Sequence, residues 1–301
     1  MTLKAWVTGS RGFIGSALVR SLEKRGISTT CIANSKPAQE GIYHVDYANR
    51  ESIKSALESK GIPHVLFHLG WGSVYEPESL VHLGSNVSDT RTLVDELYRN
   101  GTKKAVLTGS SSEYGSREGC LSENDPPIGR LTKYAQGKLE ACRYGFEAAG
   151  RHNKTFIHVR LFHTLGAGDR ESSLINQLYR SYCNSTVLGL SPCEQFRDYI
   201  YVSDAVEGII RISGIDSSEI INLGSGSQIQ LKQMIRLFWE KLGAPMDLLQ
   251  FGAHERPGHE PVQPPCYASL GKLRTMTNWQ PSIPIDEAIS RTIDELKRRS
   301  Q

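Results

Sequence analysis

The chain has 301 residues, about two domains at the usual 100–200 residues each. Its 39% hydrophobic and 22% charged content excludes a disordered or fibrous protein, and no stretch nears the roughly 18 consecutive apolar residues of a transmembrane helix. Thirty-five basic against 32 acidic residues leave a net charge of +3, too small to argue for a nucleic-acid or membrane partner, though compatible with a local basic patch for a phosphorylated small molecule.

In chain order, Leu3–Thr8 reads as an apolar strand, followed by glycines and a helix over Ile14–Lys24. Strands are predicted at Thr29–Ala33, Ile42–Val45, His64–Leu69, Lys104–Thr108 and Thr155–Leu161, and helices at Asn49–Ser59, Val87–Arg99 and Tyr134–Ala149. This alternation predicts an α/β fold, a Rossmann-type doubly wound parallel sheet covered on both faces. After Leu165 the pattern loosens. A loop at Gly166–Asp169 precedes helices at Leu174–Cys183, Val202–Ser213 (or a strand–helix junction there), Gln230–Leu242 and Ile285–Arg298, with a strand at Ile220–Leu223 and prolines clustered over Pro257–Pro265. The expected division is a cofactor domain of residues 1–165 plus about 200–223, and a smaller α/β substrate cap of 166–199 and 224–301. The six cysteines are scattered and the N-terminus shows no signal pattern, so a cytoplasmic location is expected.

The segment Gly9-Ser10-Arg11-Gly12-Phe13-Ile14-Gly15 lies at the first strand–helix junction. Glycines there allow a tight turn and close approach of a pyrophosphate, and the helix start offers free N–H groups and a positive dipole end. A dinucleotide cofactor is expected. The carboxylate that holds the adenosine ribose should close the second strand, but Ala33-Asn34-Ser35-Lys36 stand there, with no acid before Glu40. That absence, with Arg11 and Lys36 nearby, favours NADP(H) over NAD(H).

Tyr134 and Lys138 are four residues apart on a predicted helix, hence on one face. A lysine ammonium there favours phenolate and would draw the tyrosine pKa down from about 10, suiting proton exchange with a carbonyl/alcohol pair while nicotinamide moves hydride. Ser110, at the end of the strand before, could hydrogen-bond the same reacting oxygen.

With these residues the sequence resembles an extended short-chain dehydrogenase/reductase of the nucleotide-sugar epimerase/dehydratase family, over nearly its whole length. Gly9, Gly12 and Gly15 are similar to the family's T-G-x-x-G-x-x-G loop, Tyr134/Lys138 to its Y-x-x-x-K pair, and Ser110, four residues before Tyr114, to its catalytic serine or threonine. His68-Leu69-Gly70-Trp71 stands where H-x-A-A is usual, and Asn86-Val87 with Thr90 resembles N-V-x-x-T. Arg160–His163 resembles R-x-x-N with His163 replacing the asparagine, and Arg197-Asp198-Tyr199 through Asp204 resembles R-D-F-x-x-V-x-D. Asn222–Gly226 and Arg256-Pro257-Gly258 resemble later nucleotide-sugar signatures. The resemblance implies cofactor contacts from the glycine loop, Asp46, Tyr47, Leu69, Gly70, Trp71, Asn86, Thr108, Tyr134, Lys138 and Leu161. It implies substrate contacts from Trp71, Ser111, Ser112, His163, Arg197, Tyr199 and Arg256, with a nucleoside-diphosphate sugar as partner. A homodimer through a four-helix interface of the Val87–Arg99 and Tyr134–Ala149 helices is also implied.

The dehydratases of that family carry an Asp-Glu pair where Ser111 and Ser112 stand, and its GDP-fucose synthetases an epimerising cysteine where Ser112 stands. A minimal Ser/Tyr/Lys set with an NADP-leaning pocket remains. The expected activity is therefore NADPH-dependent reduction of a nucleotide-linked 4-keto sugar, with Tyr134 as general acid. An NAD-dependent nucleotide-sugar 4-epimerase is the alternative, and a catalytically idle dinucleotide sensor is the alternative of another class. No metal site is expected: His64 and His68 lie four apart on a strand, with no third ligand near in sequence.

Overall fold

The structure, a computed structural model, describes residues 3–34, 40–255 and 265–300. Its centre is a seven-stranded sheet of β1 (Lys4–Thr8), β2 (Ser28–Ala33), β3 (Tyr43–His44), β4 (Val65–His68), β5 (Lys104–Ser110), β6 (Thr155–Leu161) and β7 (Glu219–Leu223). All pairings are parallel, and the spatial order is β3-β2-β1-β4-β5-β6-β7. The chain thus winds outward one way from β1 and the other way from β4. In such a sheet the crevice lies at the carboxyl ends of the two strands where the direction reverses, so the topology alone directs a ligand to the loops after Thr8 and His68.

The helices are α1 (Phe13–Lys24), α2 (Arg50–Lys60), α3 (Ser85–Arg99), α4 (Lys133–His152), α5 (Leu174–Asn184), α6 (Val202–Ile212), α7 (Leu231–Leu242), α8 (Gly271–Thr277) and α9 (Ile285–Arg299). Strand alternation sorts the core. Ala5 and Val7 of β1 face α1 and α6, in a cluster with Leu18, Leu22, Ile209 and Ile212. Trp6 faces α2, α3 and α4, among Ile53, Leu57, Leu93 and Leu97. Strands buried on both faces need no polar alternation, which is why β1, β4 and β5 read as continuous apolar runs. Capping fixes several starts. The Asn49 side chain accepts from Glu51 N and Ser52 N, Thr132 from Ala135 N, and Ser173 from Asn176 N.

A second core, with Leu178, Met234, Ile235, Phe238, Trp239, Ile289 and Ile293, joins α5, α7 and α9. Around it run two- and three-residue strands outside the central sheet: 163–165 beside 199–201, 188–190 beside 249–251, 119–121 beside 266–268, and 196–197 antiparallel to 229–230. None of these small pairings was expected, nor was α8; the ambiguous segment at 202 resolves into strand 199–201 followed by α6. Among the described residues no helix is long and apolar enough to cross a membrane, and no cluster of metal-ligating side chains occurs.

Candidate active site

Two clefts lie at the carboxyl ends of the strands. The first, about 550 Å³, lies at the switch point and is lined by Gly9, Ala33, Asn34, Tyr47, His68, Gly70 and Trp71, and by Asn86, Asp89 and Thr90 of α3. Gly9 has φ +66°, and a Cβ there would come 2.7 Å from the Gly70 nitrogen; one on Gly15 would collide with the Gly9 carbonyl oxygen. The loops after β1 and β4 therefore touch backbone to backbone. Thr8 fastens them: its Oγ1 accepts from Gly70 N at 2.8 Å and bonds His68 Nδ1 at 2.8 Å, while His68 Nε2 reaches Thr90 at 2.9 Å. Burial pushes the His68 imidazole down to about 3, so it is neutral here. The start of α1 has no side-chain cap and no acid in its first turn, which leaves the amides of Phe13, Ile14 and Gly15 and the helix dipole to an anion. This cradle, together with the buried, unpartnered Tyr47 hydroxyl, fits a dinucleotide with its pyrophosphate over the glycine loop.

The second cleft, about 570 Å³, opens beyond β5 and β6. Its walls include Ser110, Ser111, Ser112, Tyr134, Leu161 and His163 on the sheet side, and Arg197 and Tyr199 from the short strands. The Ser110 hydroxyl accepts from Ser112 N at 3.1 Å and Ser112 Oγ at 2.9 Å, and its hydrogen bond to Tyr134 favours the phenolate form. Lys138, 2% exposed, donates to the Thr108 carbonyl at 2.7 Å and lies 3.9 Å over the Trp71 ring and 5.8 Å from the Tyr134 ring centre.

Electrostatics here correct one expectation. Burial, followed by the Glu113 carboxylate, pushes Tyr134 up to about 12, against the Ser110 hydrogen bond. Burial also lowers the Lys138 ammonium to about 7, with Glu113 opposing, and the phenol stays above its ordinary value. At neutral pH Tyr134 is a phenol, poised as an acid. Further cationic charge near its oxygen would be required to make it a base.

The remaining site residues fall as follows. Trp71 lines the first cleft and not the second. Its indole N–H donates to His82 Nδ1 at 3.0 Å. Asn86 grips Gly72 through both of its amide atoms at 3.0 Å. Asp46 accepts from Ala48 N and does not line either cleft. Arg11 donates to the Glu40 carbonyl at 3.2 Å. Leu69 meets Gly9 from below. His163, held near 3 by burial and then Arg197, is a neutral imidazole packed edge-on to Tyr199. Ser35, Lys36, Arg256 and the proline cluster over 257–264 lie outside the described residues.

Sequence reasoning missed three features. Tyr75, Asp169 and Arg170 meet at the mouth of the second cleft, with the Arg170 guanidinium stacked over the Tyr75 ring and the Tyr75 hydroxyl 3.5 Å from Asp169. Glu113, fully buried, accepts from Ser110 N at 2.8 Å, His158 Nε2 at 2.9 Å and Arg160 Nε at 3.0 Å. Burial would raise this carboxyl, but His158 and Arg160 hold it below the usual range. A carboxyl three residues beyond Ser110 was the available signal, as the second half of a capping box. The third is Asp89, which lines the first cleft and accepts from Asn34 Nδ2 at 2.8 Å.

A doubly wound parallel sheet with a glycine loop in its switch-point cleft, and a serine and a tyrosine lining the second cleft with a buried lysine one helical turn from the tyrosine, is the framework of a short-chain dehydrogenase/reductase. The sequence matches the NAD dependent epimerase/dehydratase family over residues 5–224, and the chain belongs to that family. It is 26% identical over 314 residues to a UDP-glucuronate 4-epimerase of Thermodesulfobacterium geofontis, covering 96% of this chain and 94% of the relative. A crystal structure of a Thermotoga maritima UDP-glucose 4-epimerase with UDP-glucose superposes with TM-score 0.87 at 18% identity, over 99% of this chain and 100% of that one. A Bacillus cereus UDP-glucuronic acid 4-epimerase in complex with UDP-glucuronic acid and NAD superposes with TM-score 0.81 at 20% identity, over 99% and 100%. These relatives favour the 4-epimerase alternative over the expected 4-ketoreductase. None of them supports the expected preference for NADP.

Proposed function

We propose that this protein is an NAD-dependent 4-epimerase of a UDP-linked hexose or hexuronate. The observation that carries the reading is the bare proton-transfer set. Tyr134 and Ser110 share one wall of the second cleft, while the positions that hold a carboxylate pair or a thiol in enzymes with a second proton-transfer step are Ser111 and Ser112. Inversion at C4 needs one proton relay used twice at the same oxygen, and this site supplies one.

The glycine loop, the α1 amides, Asn86 and Lys138 would hold NAD, which supplies a hydride acceptor and donor at C4. Tyr134 takes the C4 hydroxyl proton and returns it to the same oxygen, while Ser110 donates a hydrogen bond to that oxygen as its charge develops. Tyr134 would act as a base once cationic charge lies near its oxygen, which Lys138 in its protonated form and a cationic dinucleotide bound beside it would supply. Arg197, beside Tyr199 at the far wall, suits the diphosphate, whose oxygens match a guanidinium fork.

The test incubates the purified protein with NAD+ and either UDP-glucose or UDP-glucuronate, and follows the C4 epimer by proton NMR. Accumulation of the epimer without net change in NADH supports the reading. Stoichiometric NADPH consumption with a nucleotide-linked 4-keto sugar, and no epimer, would replace it with the reductase.

A further inference from the structure

The carboxylate absent from the end of β2 has a counterpart on another element. Asp89 lies on α3 one turn beyond Asn86, on the same face, and both line the first cleft beside Ala33, Asn34 and Tyr47. Asn34 joins the two elements: its Oδ1 accepts from Tyr47 N at 3.4 Å, and its Nδ2 donates to Asp89 Oδ2 at 2.8 Å. The Asp89 carboxylate is thereby held against the strand end where a ribose-binding acid is expected. Its other contact is the Ser88 hydroxyl at 3.5 Å. A carboxylate offers about four acceptor sites, so capacity for a vicinal diol remains.

A second, independent feature marks this end of the cleft as a ligand site. Tyr47 is 6% exposed and its hydroxyl has no hydrogen-bond partner. A buried hydroxyl without a partner destabilises the fold, and a polar ligand in the cleft beside it would relieve that penalty. Charge points the same way. Burial, then the nearby Asp46 carboxylate, holds the Asp89 carboxyl above its ordinary value, so two acids share this corner. Arg11, the described cation expected to read a 2′-phosphate, does not line the cleft and is turned to the Glu40 carbonyl.

We propose that Asp89 accepts the adenosine ribose hydroxyls and is the residue that selects NAD over NADP. A diol donates hydrogen bonds to a carboxylate, whereas a 2′-phosphate brings about −1.5 to −2 charges against two acids. The assignment rests on dinucleotide binding at the glycine loop, but not on which sugar is epimerised.

The test is calorimetric titration of NAD+ and NADP+ into full-length protein freed of bound dinucleotide, for the wild type, Asp89→Ser and Asp89→Glu. The wild type should bind NAD+ at least about tenfold more tightly, Asp89→Ser should reduce that ratio by about tenfold or more, and Asp89→Glu should retain it. A folded Asp89→Ser protein with an unchanged ratio overturns the assignment, as does a wild type that prefers NADP+. If Asp89→Ser does not fold, competition on the wild type decides: AMP should displace NAD+ at lower concentration than adenosine 2′,5′-bisphosphate, and equal potency refutes the proposal. Failure of the wild type to bind either dinucleotide would remove the dinucleotide reading and this assignment together. Binding without selectivity would remove only the latter.

Discussion

At the scale of single residues, the site sets a phenol, a hydroxyl and an ammonium in a pocket that penalises charge. On the proposed mechanism, Tyr134→Phe removes the proton carrier and leaves the ring, so kcat should fall by about 10²–10⁴-fold while affinity for the proposed UDP-sugar stays within about twofold. Stopped turnover with unchanged titration of the nucleotide is the readout, and an active variant would free Tyr134 of the role. Ser110 and Tyr134 were legible in the sequence because strand end and helix start each carry a local signal. Asp89 was not. It shows only as one polar residue in a polar helix segment, and its meaning comes from Asn34, 55 positions earlier. Glu113 was hidden for the opposite reason: a buried acid looks like a surface acid until His158 and Arg160 of β6 are set beside it.

Elements differ in how far their own sequence determines them. The long helices carry period and cap together, as α2 does with Asn49, and Asn49→Ala should cost about 1 kcal/mol in urea unfolding. Strands β1, β4 and β5 are apolar runs that only a covered parallel sheet accommodates. The short pairs, such as 196–197 with 229–230, escape notice because two residues have no period. Their partners stand far along the chain and their register is set by tertiary packing. The turn after β5 is an element held by one buried carboxylate. Glu113→Gln leaves His158 and Arg160 without their counter-charge, and should destabilise the fold by about 3–5 kcal/mol. Burial pulls the His158 imidazole down, but Cys142 and Glu113 lift it to about 9. Its contribution is therefore full below about pH 6.5 and fades as pH rises towards 9. The loss in Glu113→Gln, followed by denaturant titration, should accordingly be largest near pH 6 and shrink by pH 9.

For the whole molecule, acid stability should follow His68, which is buried, and His163, which is half-buried, both neutral with folded values near 3. Unfolding exposes both to ordinary values near 6.5, so the unfolded chain binds two more protons at pH 5. Stability is intact above pH 6.5 and falls below it by about 1.4 kcal/mol per pH unit for each proton. Unfolding free energies measured from pH 7 to 4 should show this two-proton slope from the pair. His68→Gln, which keeps a hydrogen-bonding amide near Thr8, should halve it.

The two clefts also differ in how much chain each requires. Every described residue lining the dinucleotide cleft falls between Gly9 and Thr90, whereas the neighbouring pocket draws on residues from Val74 to Leu231. During ribosomal synthesis, which releases the N-terminal part first, the residues that line the first cleft emerge long before the second has its last wall. A dinucleotide bound in the first cleft could thus be enclosed as the protein is made, and on the epimerase reading, in which the hydride returns at each turnover, it would need no release afterwards.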